Sequence, residues 1–329
     1  LERSSDNSYQ DIGFVNGDLD ESALTTFCTG TTCKVRTWYD QSQTGGTGSG
    51  NDAVQTTHAN QPTIYTGGAI VKENGRVAVQ FDGTDDELPT GVDIRAFTSF
   101  AIAAADDDTQ NVIFGSATDS SEFVRSEAGA VRLQNQQGVT TSAITTNRNL
   151  IYALNDSTSE IAVNGGSVNT ASLQTDDFNS FVIGVKAGAF FYNGRMQEIL
   201  VYASDKSTDR TSIESNIGDY FTQNTPLLDT YTGAAAAYSL RKLRSAYSGS
   251  AIRVRRASDN TESDIGFNVF GELDTVSLAA HCGSNDGFLV TWYDQASSNN
   301  ATQSTTANQP KIYDGTTGVI TENGKPALQ

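Results

Sequence analysis

Three cysteines, two histidines, two tryptophans, five prolines and one methionine are all that 329 residues contain of these types. So little cysteine and histidine excludes a disulfide-dense scaffold and a Cys/His zinc domain. No apolar run approaches the roughly 18 residues of a membrane span, so no membrane insertion is expected. Basic residues are short too: 21 Lys and Arg face 39 Asp and Glu, a formal charge of -18. Such a surface repels nucleic acid and anionic lipid, and it suits divalent cations and neutral sugars. Charged residues are few overall, and Thr, Ser, Asn, Gln and Gly fill the gap. That is the composition of short strands joined by polar turns.

The chain repeats itself. Arg3-Ser-Ser-Asp-Asn7 and Asp11-Ile-Gly-Phe14 return as Arg256-Ala-Ser-Asp-Asn260 and Asp264-Ile-Gly-Phe267. Thr37-Trp-Tyr-Asp-Gln41 answers Thr291-Trp-Tyr-Asp-Gln295, and Asn60-Gln-Pro62 answers Asn308-Gln-Pro310. The period of about 250 residues suits whole domains rather than solenoid units. The expected organisation is a repeat over 1–222 lacking its first strands, a linker over 223–233 and the start of the next repeat over 234–329. Strands at Ala235–Leu243 and Ala251–Arg256 have no counterpart before Arg3. The strand Met196–Tyr202 is therefore expected to carry an open edge, filled by a neighbouring repeat or chain of a head-to-tail array.

Within the repeat, Asp20 and Asp274 are placed to cap short helices. Strands are predicted at Val35–Tyr39, Val77–Phe81, Phe97–Ala105, Val112–Phe114, Phe123–Arg125, Val131–Gln134, Leu150–Asn155 and Glu160–Val163. The last runs into Asn164-Gly165, a hairpin turn signal. A helix follows Ser207 or Thr208, with Ile213, Ile217, Tyr220 and Phe221 on one face. The predicted class is all-β: a jelly-roll sandwich in tandem repeats with short peripheral helices.

Ile151-Tyr-Ala-Leu154, Ile161-Ala-Val-Asn-Gly165, Phe181-Val-Ile-Gly184 and the run from Tyr192 to Tyr202 resemble the laminin-G-like branch of the concanavalin A superfamily. A sharper resemblance covers the start of the repeat. Ala246-Tyr-Ser-Gly249, the Arg-x-Ser-Asp-Asn box, Asp11-Ile-Gly13, Phe27-Cys-Thr-Gly-Thr-Thr-Cys33 and Tyr39-Asp-Gln-Ser42 look like the catalytic domain of family 54 α-L-arabinofuranosidases. That family is a concanavalin A-like sandwich with a disulfide in the same Cys-x4-Cys loop. Similar repeats also resemble structural proteins of marine phages.

Cys28 and Cys33 are close enough in sequence for a small-loop disulfide, which would imply an oxidising compartment or virion exterior; free thiols are the alternative. The second copy keeps Cys282 but has Gly287 in place of Cys33, and it has Thr306 in place of His58. A zinc or Cys–His scheme would not be half deleted between copies.

A retaining glycosidase needs two carboxylates about 5–5.5 Å apart. The arabinofuranosidase resemblance implies a nucleophilic Glu on a central strand, matched only by Glu122. It also implies an acid/base Asp on a late strand, where this chain has Lys186. Trp38, Tyr39, Asp40 and Gln41 form a candidate sugar platform, or else core and loop structure. Asp82, Asp85 and Asp86 form a candidate Ca2+ site, or else a solvated turn.

The missing Asp favours a non-catalytic surface or fibre protein: a virion fibre, tail or bacterial adhesin that self-associates and binds cell-surface glycan. It would work outside the cell, on a cell surface or on a virion. A hydrolase of α-L-arabinofuranosidase type and a purely structural filament subunit are the alternatives.

Overall fold

A computed structural model describes residues 1–42, 51–107, 109–141, 144, 148–173, 178–221, 226–268, 270–322 and 324–329. The chain forms two compact units, Leu1–Val163 with Ser167–Arg210, and Thr211–Gln329 with Asn164–Gly166.

The first unit is built on two antiparallel sheets. The larger has the order Glu2–Arg3, Cys33–Lys34, Thr63–Thr66, Val79–Asp82, Asn193–Tyr202, Phe97–Ala105, Asn149–Asn155, Ser159–Val163, Asn169–Ala171, with Ala69–Ile70 paired to Thr63–Thr66. The smaller runs Leu88–Pro89, Phe181–Ile183, Asn111–Ser116, Glu122–Glu127, Ala130–Asn135, Gln137–Thr140. Alternating side chains from both sheets share one core. Phe97, Ala101 and Ala103 of the larger sheet meet Phe114, Val124, Val131 and Leu133 of the smaller. Phe97 and Phe114 pack edge to face at 5.9 Å, and Phe97 and Phe178 at 5.0 Å. Each buried phenyl removes enough apolar surface from water to contribute about 2 kcal/mol. Phe97–Ala105 is buried along its whole length, as a strand covered on both faces must be.

Two glycines are required by packing. A Cβ on Gly194, which sits at φ 149°, would lie 2.3 Å from the carbonyl oxygen of Ala104. One on Gly184, at φ 90°, would lie 2.6 Å from the Phe81 ring. The hairpin read from Asn164-Gly165 is present, with both residues at positive φ (54° and 75°).

The second unit carries a main sheet, Glu262–Ile265, Ile252–Arg256, Gly287–Trp292, Lys311–Asp314, Gly318–Val319, with Ala301–Thr302 paired to Gly287–Trp292, and a small ladder of Thr321–Glu322 with Lys325–Pro326. Its core gathers Ile252, Val254, Ile265, Leu278, Leu289 and Ile312. The helices Glu21–Cys28 and Thr275–Cys282 are capped as expected: Asp20 accepts from the Ala23 amide at 2.9 Å and Asp274 from that of Ser277 at 3.0 Å.

Several expectations are corrected. The strand Asn193–Tyr202 pairs with Phe97–Ala105 from Gly194 to Tyr202, and on its other side with Val79–Asp82 over Asn193–Met196 alone, so among the described residues the stretch after Met196 has a strand partner on one side only. The edge strands of that sheet are Glu2–Arg3 and Asn169–Ala171. Ala235–Leu243 is not a strand; it runs irregularly, with one bridge between Arg241 and Glu272. The predicted strand Val35–Tyr39 is split, because the register shifts at Cys33/Lys34 and Thr37–Trp38 pairs instead with Ala53–Val54. The linker region contains a short helix, Leu227–Thr230; residues 222–225 fall outside the described set.

Candidate functional site

The sequence pointed to three places, and they differ in what they bring together. At the Trp-Tyr-Asp-Gln box, Trp38 is half-buried against the core and Tyr39 is exposed. The Tyr39 hydroxyl donates to Asp11 Oδ1 at 2.7 Å, and that carboxylate pushes its pKa up to about 12. Asp40 accepts from the Ser42 amide and hydroxyl, at 2.8 and 3.0 Å. Gln41 faces solvent. In the second unit the same box holds the chain itself. Asp294 accepts from the amides of Ala237, Ala296 and Asn299. Gln295 accepts from the Leu243 amide at 2.7 Å and donates to the carbonyls of Ser239 and Arg241. With their polar atoms so used, Asp294 and Gln295 organise backbone there. The partnership of Asp11 with Tyr39 was not read from the sequence. Its signal was available, since Asp264 and Tyr293 recur together and make the same 2.7 Å bond.

At Glu122, alternation decides the geometry. Val124 lies in the inter-sheet core, so Glu122, two residues earlier, shares the inner face of its strand. Glu122 is buried and pairs across the strands with Asn135. Phe123 points the other way, and Lys186 lies over its ring with Nζ 4.1 Å from the centroid. Lys186 also donates to the carbonyl of Ser120 at 2.6 Å, and burial holds its pKa below the usual ammonium value, helped by the charge of Arg125. Glu122 and Lys186 therefore belong to opposite faces of one sheet. A carboxylate placed where Lys186 stands would not face Glu122.

At the turn after Val79–Asp82, carboxylates do converge. One oxygen from each of Asp82, Asp85 and Asp86 lies within 4.8 Å of the others. Asp82 Oδ1 accepts from the amides of Thr84 and Asp85, which folds the turn on itself. Asp86 is 2 % exposed and accepts from the Asp82 amide at 3.0 Å. Burial, with the Asp82 charge, raises its pKa to about 7. Lys34 Nζ stands 4.0 Å from Asp86 Oδ1 and supplies positive charge that a cation would otherwise bring. Glu87 next door is also raised, chiefly by burial.

A fourth site, missed in the sequence, is a buried network around Glu2. Its carboxylate meets Arg36 at 2.9 Å, Gln61 at 3.0 Å and His58 at 3.1 Å. Burial opposes its charge, but these bonds outweigh it and hold Glu2 below the ordinary glutamate value. Cys28 and Cys33 are joined as a disulfide, and Cys282 is a buried free thiol.

Paired antiparallel sheets around one core, together with a convergence of carboxylates, define a β-sandwich of the kind on which sugar-cleaving enzymes are built. A family profile, alpha-L-arabinofuranosidase B, catalytic, matches residues 1–85 and 226–326, more than half of the chain. The chain belongs to that family. Among solved structures, it is similar to a family 54 α-L-arabinofuranosidase soaked with a cyclic sulfate inhibitor: 16 % identity over 93 % of this chain and 69 % of that one, TM-score 0.53. It is also similar to an arabinofuranosidase complexed with arabinofuranosyl-alpha-1,2-xylobiose: 15 % identity, 95 % and 75 % coverage, TM-score 0.51. At such identity the likeness is one of fold. No curated protein matches the chain. The family match overturns the expectation of a non-catalytic fibre, adhesin or virion protein, which leaned on Lys186 replacing one acid. Lys186, Glu122 and Asp86 lie outside the matched stretches, whereas Asp82 and Asp85 lie inside them.

Proposed function

We propose that this chain is a glycoside hydrolase of α-L-arabinofuranosidase type, a tandem jelly-roll protein working outside the cell. The observation that carries the reading is the catalytic-domain family match over both copies of the repeated text. Glycoside cleavage needs one carboxyl that stays protonated near neutral pH and another that is ionised, close together. The turn at Asp82–Asp86 brings two carboxyls together: burial, with the Asp82 charge, raises the pKa of Asp86 to about 7, and Asp82 is exposed within 4.8 Å of it. In this scheme the exposed Asp82 carboxylate attacks the anomeric carbon as the glycosidic bond breaks, the leaving oxygen takes its proton from solvent, water then hydrolyses the glycosyl ester, and buried Asp86 orients the turn through the Asp82 amide.

The test is turnover of 4-nitrophenyl α-L-arabinofuranoside by the whole chain. Asp82→Asn should lower the rate by about 100-fold, the scale of a lost catalytic carboxylate, while Glu122→Gln keeps it. Wild-type turnover no higher than background would reject the hydrolase. Turnover lost in Glu122→Gln and kept in Asp82→Asn would move the chemistry to the other strand.

A further inference from the structure

The outer face of the smaller sheet gathers positive charge on a chain that is otherwise strongly acidic. On the strand Glu122–Glu127, Val124 points into the core, so Phe123, Arg125 and Glu127 point outward. Arg125 stands directly opposite Arg132 of the next strand. Like charges in that position repel and weaken a sheet. Lys186 joins them: its ammonium lies over the Phe123 ring, and the Arg125 guanidinium lies 4.6 Å from the same ring's centroid. Burial holds the Lys186 pKa down, and the charges of Arg125 and Arg132 add to that effect. Glu127 pairs with one terminal nitrogen of Arg125, and Gln110 accepts from the other at 2.8 Å. Arg132 and Lys186 have no ion-pair partner among the described residues. The Nε atoms of Arg125 and Arg132 are buried without a hydrogen-bond partner.

Two features hold this arrangement in place. The Arg132 guanidinium lies against Gly138, where an added Cβ would come within 2.5 Å of Nε and 2.6 Å of Nη2, so any side chain there would push it aside. Next to Lys186, Phe190 turns its ring outward, 48 % exposed, with Lys186 Nζ 4.8 Å from the centroid. Phe190 sits at φ 61°, a left-handed conformation that a bulky residue adopts at an energetic cost. Strain of that kind persists where a loop presents a side chain to a ligand. Gln134, opposite Phe123 on the same face, adds an amide that can serve hydroxyl groups. An aromatic plate beside unpaired cations fits a sugar ring that carries an anion. The apolar face of the ring stacks on the phenyl, and a carboxylate meets charged N–H donors.

We propose that this face is a binding subsite for the uronic acid residues of an acidic oligosaccharide. Phe190 carries the sugar ring, and Arg132 and Lys186 take its carboxylate. The bound anion relieves the repulsion between Arg125 and Arg132, which the free protein carries as a loss of stability. The net charge of -18 disfavours an anion over most of the surface, which sharpens the preference for this face. The choice of a sugar as carrier of the carboxylate rests on the glycoside hydrolase reading above. The subsite itself uses none of Asp82, Asp85 and Asp86.

The probe is trigalacturonic acid, titrated into the whole chain by isothermal calorimetry beside its neutral methyl ester. Saturable one-to-one binding of the acid is expected, with the ester about tenfold weaker, the scale of a lost charge-assisted hydrogen bond. Arg132→Gln should weaken binding of the acid by about tenfold. The same variant should melt at the wild-type temperature or above it, because it removes a repulsive pair; a merely structural arginine would lower it. Phe190→Ala, at an exposed position, should weaken binding by about fivefold. The proposal is overturned by an absence of saturable binding, by equal binding of acid and ester, or by binding unchanged in Arg132→Gln. Displacement by inorganic sulfate at equal molar concentration would make the face a general anion patch and overturn it too. Binding without turnover of the arabinofuranoside would reject the hydrolase and keep the subsite, and turnover without binding would do the reverse.

Discussion

The two copies of the repeated text show what one scaffold keeps and what it lets go. Gln61 and Gln309 sit at matching positions. Gln61 donates its amide to buried Glu2 at 3.0 Å, whereas Gln309 accepts from buried Arg255 at 2.7 Å. The buried charge has changed sign between copies, and the shared amide has only turned over, since Asn and Gln offer both a donor and an acceptor. The groups that complete each network changed with it: Arg36 and His58 serve Glu2, while Val290 and Thr306 occupy the matching positions in the second copy. By contrast, the Tyr–Asp bond that ties the box to the neighbouring hairpin is identical in both, at 2.7 Å. Backbone-organising polar groups persist, while buried ion partners are replaced as a set.

The largest expected effect breaks the comparison at the Gln of the box. Gln295 carries three side-chain hydrogen bonds to Leu243, Ser239 and Arg241 in a buried setting. Gln295→Ala should therefore destabilise the second unit by about 2 kcal/mol, because the buried Leu243 amide loses its acceptor and the part-buried carbonyls of Ser239 and Arg241 lose a donor. Gln41→Ala, at an exposed position, should change stability by less than about 0.5 kcal/mol. Urea melts of the whole chain, read through hydrogen exchange at Leu243 and at the Thr37–Trp38 strand, separate the two. Equal losses would mean that the two boxes do the same work.

The next effect belongs to the first unit, which holds Asp86. The pKa of Asp86 rises from 3.8 to about 7 on folding, through burial and the Asp82 charge. A carboxyl raised by folding favours the folded state while protonated, so its contribution is full below pH 4 and is lost as pH climbs through 7. The first unit should thus become less stable between pH 4 and pH 8 through this group. Asp86→Asn keeps an oxygen for the Asp82 amide and removes the titration, so it should flatten that slope. A slope unchanged in Asp86→Asn would assign the pH dependence elsewhere.

How much of this was legible depends on the range of the forces involved. Phe97–Ala105 was read at its true bounds, because a long apolar β-branched and aromatic run flanked by turns has one favourable fate. The helix caps at Asp20 and Asp274 were equally local. Ala235–Leu243 was misread as a strand, because its backbone partners are the side chains of Asp294 and Gln295, far away in sequence. The pairing of Asn193–Met196 with Val79–Asp82 was hidden for the same reason, since strand order is set by non-local contacts. At the candidate site, Glu122 was found as a residue type on a strand. Which face it shares with Val124 decides its use, and that needed the register. The Asp82–Asp86 turn was visible as a run of acids, but the burial that raises Asp86 belongs to tertiary packing.

The smallest effect sharpens the comparison at the cysteines. Cys28 is bonded to Cys33, while Cys282 faces Gly287. A Cβ built on Gly287 would lie 2.5 Å from Cys282 Sγ, so the backbone already holds the two positions together. Gly287→Cys should close a second small-loop disulfide. By loop-entropy reasoning such a loop is worth about 2 kcal/mol. Tyr313 and Val254 each stand 3.1 Å from the new Cβ and must yield, which lowers the expected gain to about 1 kcal/mol. Burial pushes the Cys282 thiol up to about 11, so in the folded wild type it should be slow toward thiol reagents. Under denaturing, non-reducing conditions the wild type should show one free thiol per chain and Gly287→Cys none. The variant's melting midpoint should fall back on reduction. Two free thiols in the variant would show that the second loop cannot close, and that the first copy's Cys33 depends on more than the glycine it replaces.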